Sequence, residues 1–314
     1  MDKLVLVTGS VLVPEEALAL IRSAGFPIRR APQDTFSDDE LHEALAGVAG
    51  YVIGGDEKPS SEHFERAAAL EAVAFTGSDY KSHVPGWRRA VERGISLAAC
   101  PGANAVSVAE SAVLQMLTMA RPSVRVARPT DTPSTQPDIE LRGRTLGLVG
   151  FGHVGSRVSA AAGQGLGMEV LYHARHRNPD TDVPFVSLEE LLDRADVISL
   201  HRPGLAAGEP AFLGKTEFTL VRPGSILINT AHPSLVDPVA LEWAITTKEV
   251  RAAVEGIELV SGWSGLAALG SDRFLGLPMV SHHTHEANLR IALQAAQAVC
   301  DALTRGRPEA SGAL

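Results

Sequence analysis

The stretch Leu146–Arg177, LGLVGFGHVGSRVSAAAGQGLGMEVLYHARHR, decides how this chain folds. Leu146 to Val149 is an apolar run of strand character. Gly150, Gly152 and Gly155 follow in the spacing G-x-G-x-x-G, then a helical stretch to about Leu166 and a second apolar run from Glu169 to Tyr172. Strand, glycine turn, helix, strand is the context in which this spacing marks a dinucleotide site. Gly150 permits the tight turn, Gly152 leaves the backbone bare toward a pyrophosphate, and Gly155 lets the helix lie close to the strand. The N–H groups at the helix start, at His153 and Val154, then face the diphosphate, helped by the helix dipole. The plain alternative is a βαβ unit whose glycine turn binds nothing.

The far end of the stretch addresses which dinucleotide. Sites for NAD usually place Asp or Glu at the end of the second strand, bonded to the adenosine ribose. Here that place reads Tyr172-His173-Ala174-Arg175-His176-Arg177. The acid is missing, and a guanidinium binds a 2′-phosphate where a carboxylate would repel it. Arg175 and Arg177 therefore predict NADP(H), with NAD(H) as the alternative cofactor. A solvated basic turn is the unspecific reading of the same residues.

A chain of 314 residues, 45% hydrophobic, has material for about two domains. Asp plus Glu number 37 against 28 Lys plus Arg, a net charge of −9. Nucleic acid and anionic membrane call for basic surface, so neither is expected as a partner. The cysteines, Cys100 and Cys300, form no disulfide framework and no metal motif. The opening MDKLVLVTGS reads as a core strand rather than a signal peptide. No apolar run reaches membrane-spanning length, and a cytoplasmic location is expected.

Before the glycine turn, residues 1 to about 100 alternate strand and helix signals. Strands are expected at Leu4–Val7, Tyr51–Ile53, Ala72–Phe75 and Ile95–Ala99, and helices at Pro14–Ala24 and Ser61–Leu70. Crossover connections make such a unit mostly parallel. A long amphipathic helix follows, Ala105 to Ala120, with Val106, Ala109, Val113, Met116, Leu117 and Ala120 on one face. Arg121 to Asp138 carries Pro122, Pro129, Pro133 and Pro137 and reads as a loop or interdomain segment. From Leu141 strand and helix signals alternate again, ending in a short strand, Met279–Ser281, and a helix from about Glu286 to Thr304. The first unit lacks a closing helix, so this last one is expected to pack back on it.

As a whole the chain resembles the D-isomer-specific 2-hydroxyacid dehydrogenase family. The resemblance rests on CPGANAVSVAE (Cys100–Glu110), LRGRTLGLVGFGHVG (Leu141–Gly155), DVISLHRP (Asp196–Pro203), LINTAHPSLVD (Leu227–Asp237), the pair VE before GI (Val254–Ile257) and VSHHT (Val280–Thr284). It implies two Rossmann-like α/β domains with doubly wound parallel sheets, the cofactor domain inserted in a flavodoxin-like substrate domain. The substrate domain would comprise 1–101 plus 286–314 and the cofactor domain 102–285. It further implies a homodimer built on the cofactor domains, and reversible hydride transfer between a nicotinamide and a small 2-oxo or 2-hydroxy acid.

Carried over residue by residue, the resemblance makes His283 the acid–base histidine, in a place where the family usually has a T-P-H pattern. A histidine titrates near pH ~6.5 when unperturbed, which suits proton transfer. Its neighbours His282 and His285 raise a metal site as a rival, but they lack helical i, i+4 spacing and further ligands, so no metal is expected. The substrate carboxylate would meet backbone groups of Gly77 and Ser78 on the loop after Phe75. His201, Pro203, Thr230 and Ala231 would line the cofactor, with Arg202 beside a phosphate or at the rim. Glu255 stands for an aspartate that contacts the nicotinamide carboxamide.

Two positions depart from the family. Its N-T-A-R-G reads Asn229-Thr230-Ala231-His232-Pro233, so His232 replaces an arginine that clamps the substrate carboxylate. A histidine offers one donor toward a given ligand and only partial charge. Lys81 is the nearest cation in sequence to the substrate loop and stands as a compensating candidate. The family's catalytic glutamate is replaced by Val260, leaving Glu258 as a substitute only on a re-routed loop. The expected function is an NADP(H)-dependent oxidoreductase on a 2-oxo or 2-hydroxy acid, or on a related carbonyl or phosphonate compound. The altered positions equally suit a second class, a cofactor-binding redox-sensing or interaction protein without dehydrogenase activity.

Overall fold

The computed structural model describes residues 3–9, 13–31, 33–121, 138–205 and 208–306. The proline-rich segment after Arg121 lies outside them. The chain forms two compact units, Met1–Asn104 with His283–Leu314, and Ala105–His282.

The first unit is built on five parallel strands: β1 (Val5–Thr8), β2 (Ile28–Ala31), β3 (Gly50–Ile53), β4 (Ala72–Phe75) and β5 (Ser96–Ala98). Their order is β2-β1-β3-β4-β5, the flavodoxin-like order. β1 and β3 are buried throughout, as central strands covered on both faces must be. β2 was not expected from sequence, because Ile-Arg-Arg-Ala has neither an apolar run nor alternation. Its charges fit an edge strand. Arg30 also closes the end of β1, donating to the carbonyls of Val7 (3.1 Å), Thr8 (3.0 Å) and Gly9.

The last helix, His285–Arg305, belongs to this unit and packs on β3, β4 and the helix Glu15–Ser23. Its buried stripe is mostly small: Ala287, Ala292, Ala295, Ala296 and Ala302, with Ile291, Val299 and Leu303. That lets it approach the sheet. At Gly50 a Cβ would stand 2.7 Å from a Val299 methyl and 2.9 Å from one of Leu303. Thr284 caps its start, its hydroxyl accepting from the Ala287 N–H at 3.2 Å.

The second unit holds six parallel strands: β6 (Thr145–Val149), β7 (Glu169–His173), β8 (Val197–Leu200), β9 (Ile226–Asn229), β10 (Arg251–Glu255) and β11 (Phe274–Leu277). Their order is β11-β10-β9-β8-β6-β7. A parallel bridge from Tyr172 to Phe185 adds a vestigial strand beyond β7, the place of the third strand in a Rossmann sheet. The sheet therefore reverses direction of winding between β6 and β8.

Two expectations are corrected here. The last strand is Phe274–Leu277, not Met279–Ser281; it pairs along β10, and Pro278, which lacks an N–H, ends it. The helix Ala105–Ala120 does form, and Ala109, Met116 and Ala120 of the expected face are buried, with Ala105, Ala112 and Met119. Val106 and Leu117 of that face are exposed, as is Leu114. The helix is apolar on more than one side, so periodicity alone does not pick the core face.

Candidate active site

In the second unit the glycine turn is built as sterics require. Gly150 has φ +101°, and a Cβ there would lie 2.3 Å from the His201 carbonyl oxygen. A Cβ at Gly155 would lie 2.3 Å from the Gly150 carbonyl oxygen. Both glycines are thus fixed by protein atoms. Gly152 is different: nothing lies within 4 Å of where its Cβ would be. The protein leaves that space open, as a cradle for a pyrophosphate needs. Gly152 is also the N-cap of the helix His153–Ala160, and no side chain caps it. Its first N–H groups remain available to an anion. His153 is exposed there; Val154 is half-buried and packs toward β6 and β7.

A cleft of about 500 Å³ opens over this turn at the carboxyl ends of β6, β7 and β8. This is the switch point of the sheet, where α/β folds bind ligands. Gly150 and Gly152 line it, with His173, Arg175, His201 and Pro203. Burial pushes the His201 imidazole down to about 4, so it is a neutral wall. Arg202 stacks on Phe212, its guanidinium carbon 4.1 Å from the ring centre. At the end of β7, Arg175 lines the cleft and is exposed, with no hydrogen-bond or ion-pair partner among the described residues. Arg177 is exposed and lies outside the cleft lining. The turn between them bends back, the Asn178 N–H donating to the Tyr172 hydroxyl at 2.8 Å.

At the end of β9, the Thr230 side chain is buried and its hydroxyl has no partner among the described residues. A buried hydroxyl of this kind is costly unless something completes it. Together with the open space at Gly152, this fits a bound dinucleotide. The Ala231 N–H is already bonded to the Asn229 side chain at 3.0 Å. His232 caps the short turn Pro233–Leu235: its Nδ1 accepts from the Ser234 N–H at 3.2 Å and lies 2.8 Å from the Ser234 hydroxyl. Burial lowers its pKa.

Glu255 ends β10. It is fully buried, and its carboxylate accepts from the hydroxyls of Ser111 (3.2 Å) and Ser281, the Gln115 amide and the Ser281 N–H (3.2 Å). These contacts make it a brace between β10, the helix Ala105–Ala120 and Ser281. The partners lie far away in sequence, so no spacing announces them. Glu258 is exposed and accepts from the Met279 N–H at 3.0 Å; Val260 is half-buried.

In the first unit, Gly77 and Ser78 follow β4 on an irregular turn. Their N–H groups meet no acceptor among the described residues. The Gly77 carbonyl accepts from the Cys100 N–H at 2.7 Å, which pins the loop. Lys81 is exposed, its ammonium 5.3 Å from the Trp87 ring centre. His283 is exposed and directly precedes the cap residue Thr284. The Asn288 amide lies 3.4 Å from its Nδ1. Asn288 was not singled out from sequence; its only signal is an amide in the first turns of the helix behind the histidine. Among the described residues no cluster of His, Cys, Asp or Glu is arranged to hold a metal, and no helix is long and apolar enough to cross a membrane.

Comparison with known proteins bears on the same residues. Residues 112–255 match the family model for the D-isomer specific 2-hydroxyacid dehydrogenase NAD binding domain. The hydroxypyruvate reductase of Thermotoga maritima is 30% identical over 268 residues, 82% of this chain and 85% of that protein. The D-3-phosphoglycerate dehydrogenase of Archaeoglobus fulgidus is 28% identical over 94% of this chain, which spans 56% of that longer protein. The crystal structure of the TT0316 protein from Thermus thermophilus superposes with a TM-score of 0.82 at 29% identity, covering 97% of this chain and 98% of that one.

The glycine geometry gives a direct test. Gly152→Val should leave the melting temperature of the free protein within about 2 °C, because the side chain meets open space, yet weaken dinucleotide binding at least about tenfold. Gly155→Val should lower the melting temperature. Equal destabilisation by both, with unchanged cofactor affinity at position 152, would remove the cradle assignment.

Proposed function

Since the chain belongs to the D-isomer specific 2-hydroxyacid dehydrogenase family, NAD(P)-dependent dehydrogenases and reductases acting on CH–OH groups, we propose that it is an NADP(H)-dependent oxidoreductase. Its substrate is a small 2-oxo or 2-hydroxy acid, or a related carbonyl or phosphonate compound. The unit Ala105–His282 binds the dinucleotide, and the unit containing His283 carries the proton-transfer group.

Arg175 carries the cofactor preference. It lines the cleft at the end of β7 without a partner among the described residues, and no acid occupies that strand end. A 2′-phosphate would gain a charge-assisted contact there and meet no repulsion. The helix start behind Gly152 would hold the diphosphate, and the Thr230 hydroxyl would gain a partner.

The helix start behind Gly152 and Arg175 would hold NADPH, which when bound would supply the hydride for the carbonyl carbon. His283 donates the proton that neutralises the carbonyl oxygen and takes it back in the reverse direction. Asn288 stands at its Nδ1, where the family uses a carboxylate by way of the position now held by Val260. An amide there orients the ring without adding charge. A homodimer is supported by the exposed apolar stripe Val106, Leu114 and Leu117, which borders a groove of about 490 Å³ with Ala109, Val113 and Ala161.

His283→Ala should lower kcat by about 10²–10⁴-fold while the Kd for NADPH changes less than about twofold; unchanged turnover removes the assignment. Arg175→Ala should raise the KM for NADPH about tenfold and leave that for NADH nearly unchanged. A wild-type preference for NADH would contradict the cofactor reading.

A further inference from the structure

His232 stands where the family's arginine would be, and its surroundings define its chemistry more tightly than the sequence does. A backbone N–H can only donate. The Ser234 N–H points at His232 Nδ1 from 3.2 Å, so that nitrogen presents a lone pair. The Ser234 hydroxyl is 2.8 Å from the same atom, and its oxygen accepts from the Leu205 N–H at 3.3 Å. Its own hydrogen is thus directed to Nδ1 as well. With Nδ1 occupied, the ring proton sits on Nε2, which has no partner among the described residues.

A second proton on Nδ1 would set N–H against N–H and uncap the turn Pro233–Leu235. The ring cannot turn away easily. A Cβ on Gly204 would lie 2.7 Å from His232 Cβ, so the loop packs directly on the residue. The Asn229 amide donates to the His232 carbonyl at 3.3 Å and holds the backbone. Burial disfavours the charged form as well.

We infer that His232 is the specificity-determining residue of this site: a neutral imidazole locked as the Nε2–H donor by Ser234, it selects carbonyl compounds whose neighbouring group is uncharged, such as an ester or an amide, over 2-oxo carboxylates. The inference rests on the oxidoreductase reading above and narrows its substrate class. A carboxylate leaving water loses strong hydration and needs a cation or several charge-assisted bonds in return. His232 supplies one neutral donor. An ester or amide asks for no cation, and one good donor suffices for its oxygen.

The test uses the full chain saturated with NADPH and two non-reacting probes of nearly equal shape, oxamate and its methyl ester. Cofactor fluorescence reads binding, and turnover of pyruvate and methyl pyruvate is followed in parallel. The wild type should bind methyl oxamate at least about tenfold more tightly than oxamate. His232→Arg should reverse the order, and His232→Gln, which keeps a neutral donor, should preserve it. Equal or tighter binding of oxamate by the wild type, or binding of neither probe, overturns the inference. Tighter binding of the ester with no turnover of either pyruvate compound would sustain the selection while refuting the oxidoreductase reading.

Discussion

The backbone contact between the glycine turn and the strand beside it sets what everything else can do. Gly150 at φ +101° brings β6 against the His201 carbonyl, and Gly155 brings the following helix against the carbonyl of Gly150. Any side chain at either place would push apart the elements that form the switch point. Beside these two closed contacts the space at Gly152 is open. The uncapped helix start and the cleft lined by Arg175 lie at the same turn. This arrangement explains why the cofactor apparatus can persist while other parts of the chain change, since it is held by local sterics rather than by charge.

On the proposed function, the chemistry beyond the cofactor carries little charge: the resemblance puts His232 at an arginine position and Val260 at a glutamate position. The buried carboxylate that remains, Glu255, is turned toward Ser111, Gln115 and Ser281. It ties the helix Ala105–Ala120 to Ser281, whose carbonyl also accepts from the Ser107 hydroxyl. In the unit Ala105–His282, what is proposed to meet a substrate is one neutral hydrogen-bonding group, His232 Nε2. A reduction of a carbonyl needs a proton donor and a way to hold the oxygen. It does not need the substrate to be an anion.

Much of this was legible from sequence where the cause is local. The glycine spacing, the missing acid at the end of β7 and the replacements at His232 and Val260 are all readable in short windows. Long-range contacts were not. β2 is an edge strand whose Arg30 serves the end of β1, so it carries no apolar signal. The helix Ala105–Ala120 has two apolar stripes, and only the packed fold shows that Val106, Leu114 and Leu117 are the outer one. The short run Met279–Ser281 resembles a strand, yet Phe274–Leu277 has the register with β10. Ser234 and Asn288 became informative only through the atoms they face, since neither residue type at that spacing signals a tautomer or an orientation.

The charge state of His232 is the point on which this account turns. It can be observed by ¹⁵N-edited NMR of the imidazole side chains in the NADPH-bound protein, with a His232→Gln variant assigning the signal. A single neutral tautomer is expected at neutral pH, protonated at Nε2 and bare at Nδ1. An imidazolium at neutral pH, or a ring protonated at Nδ1, would contradict it.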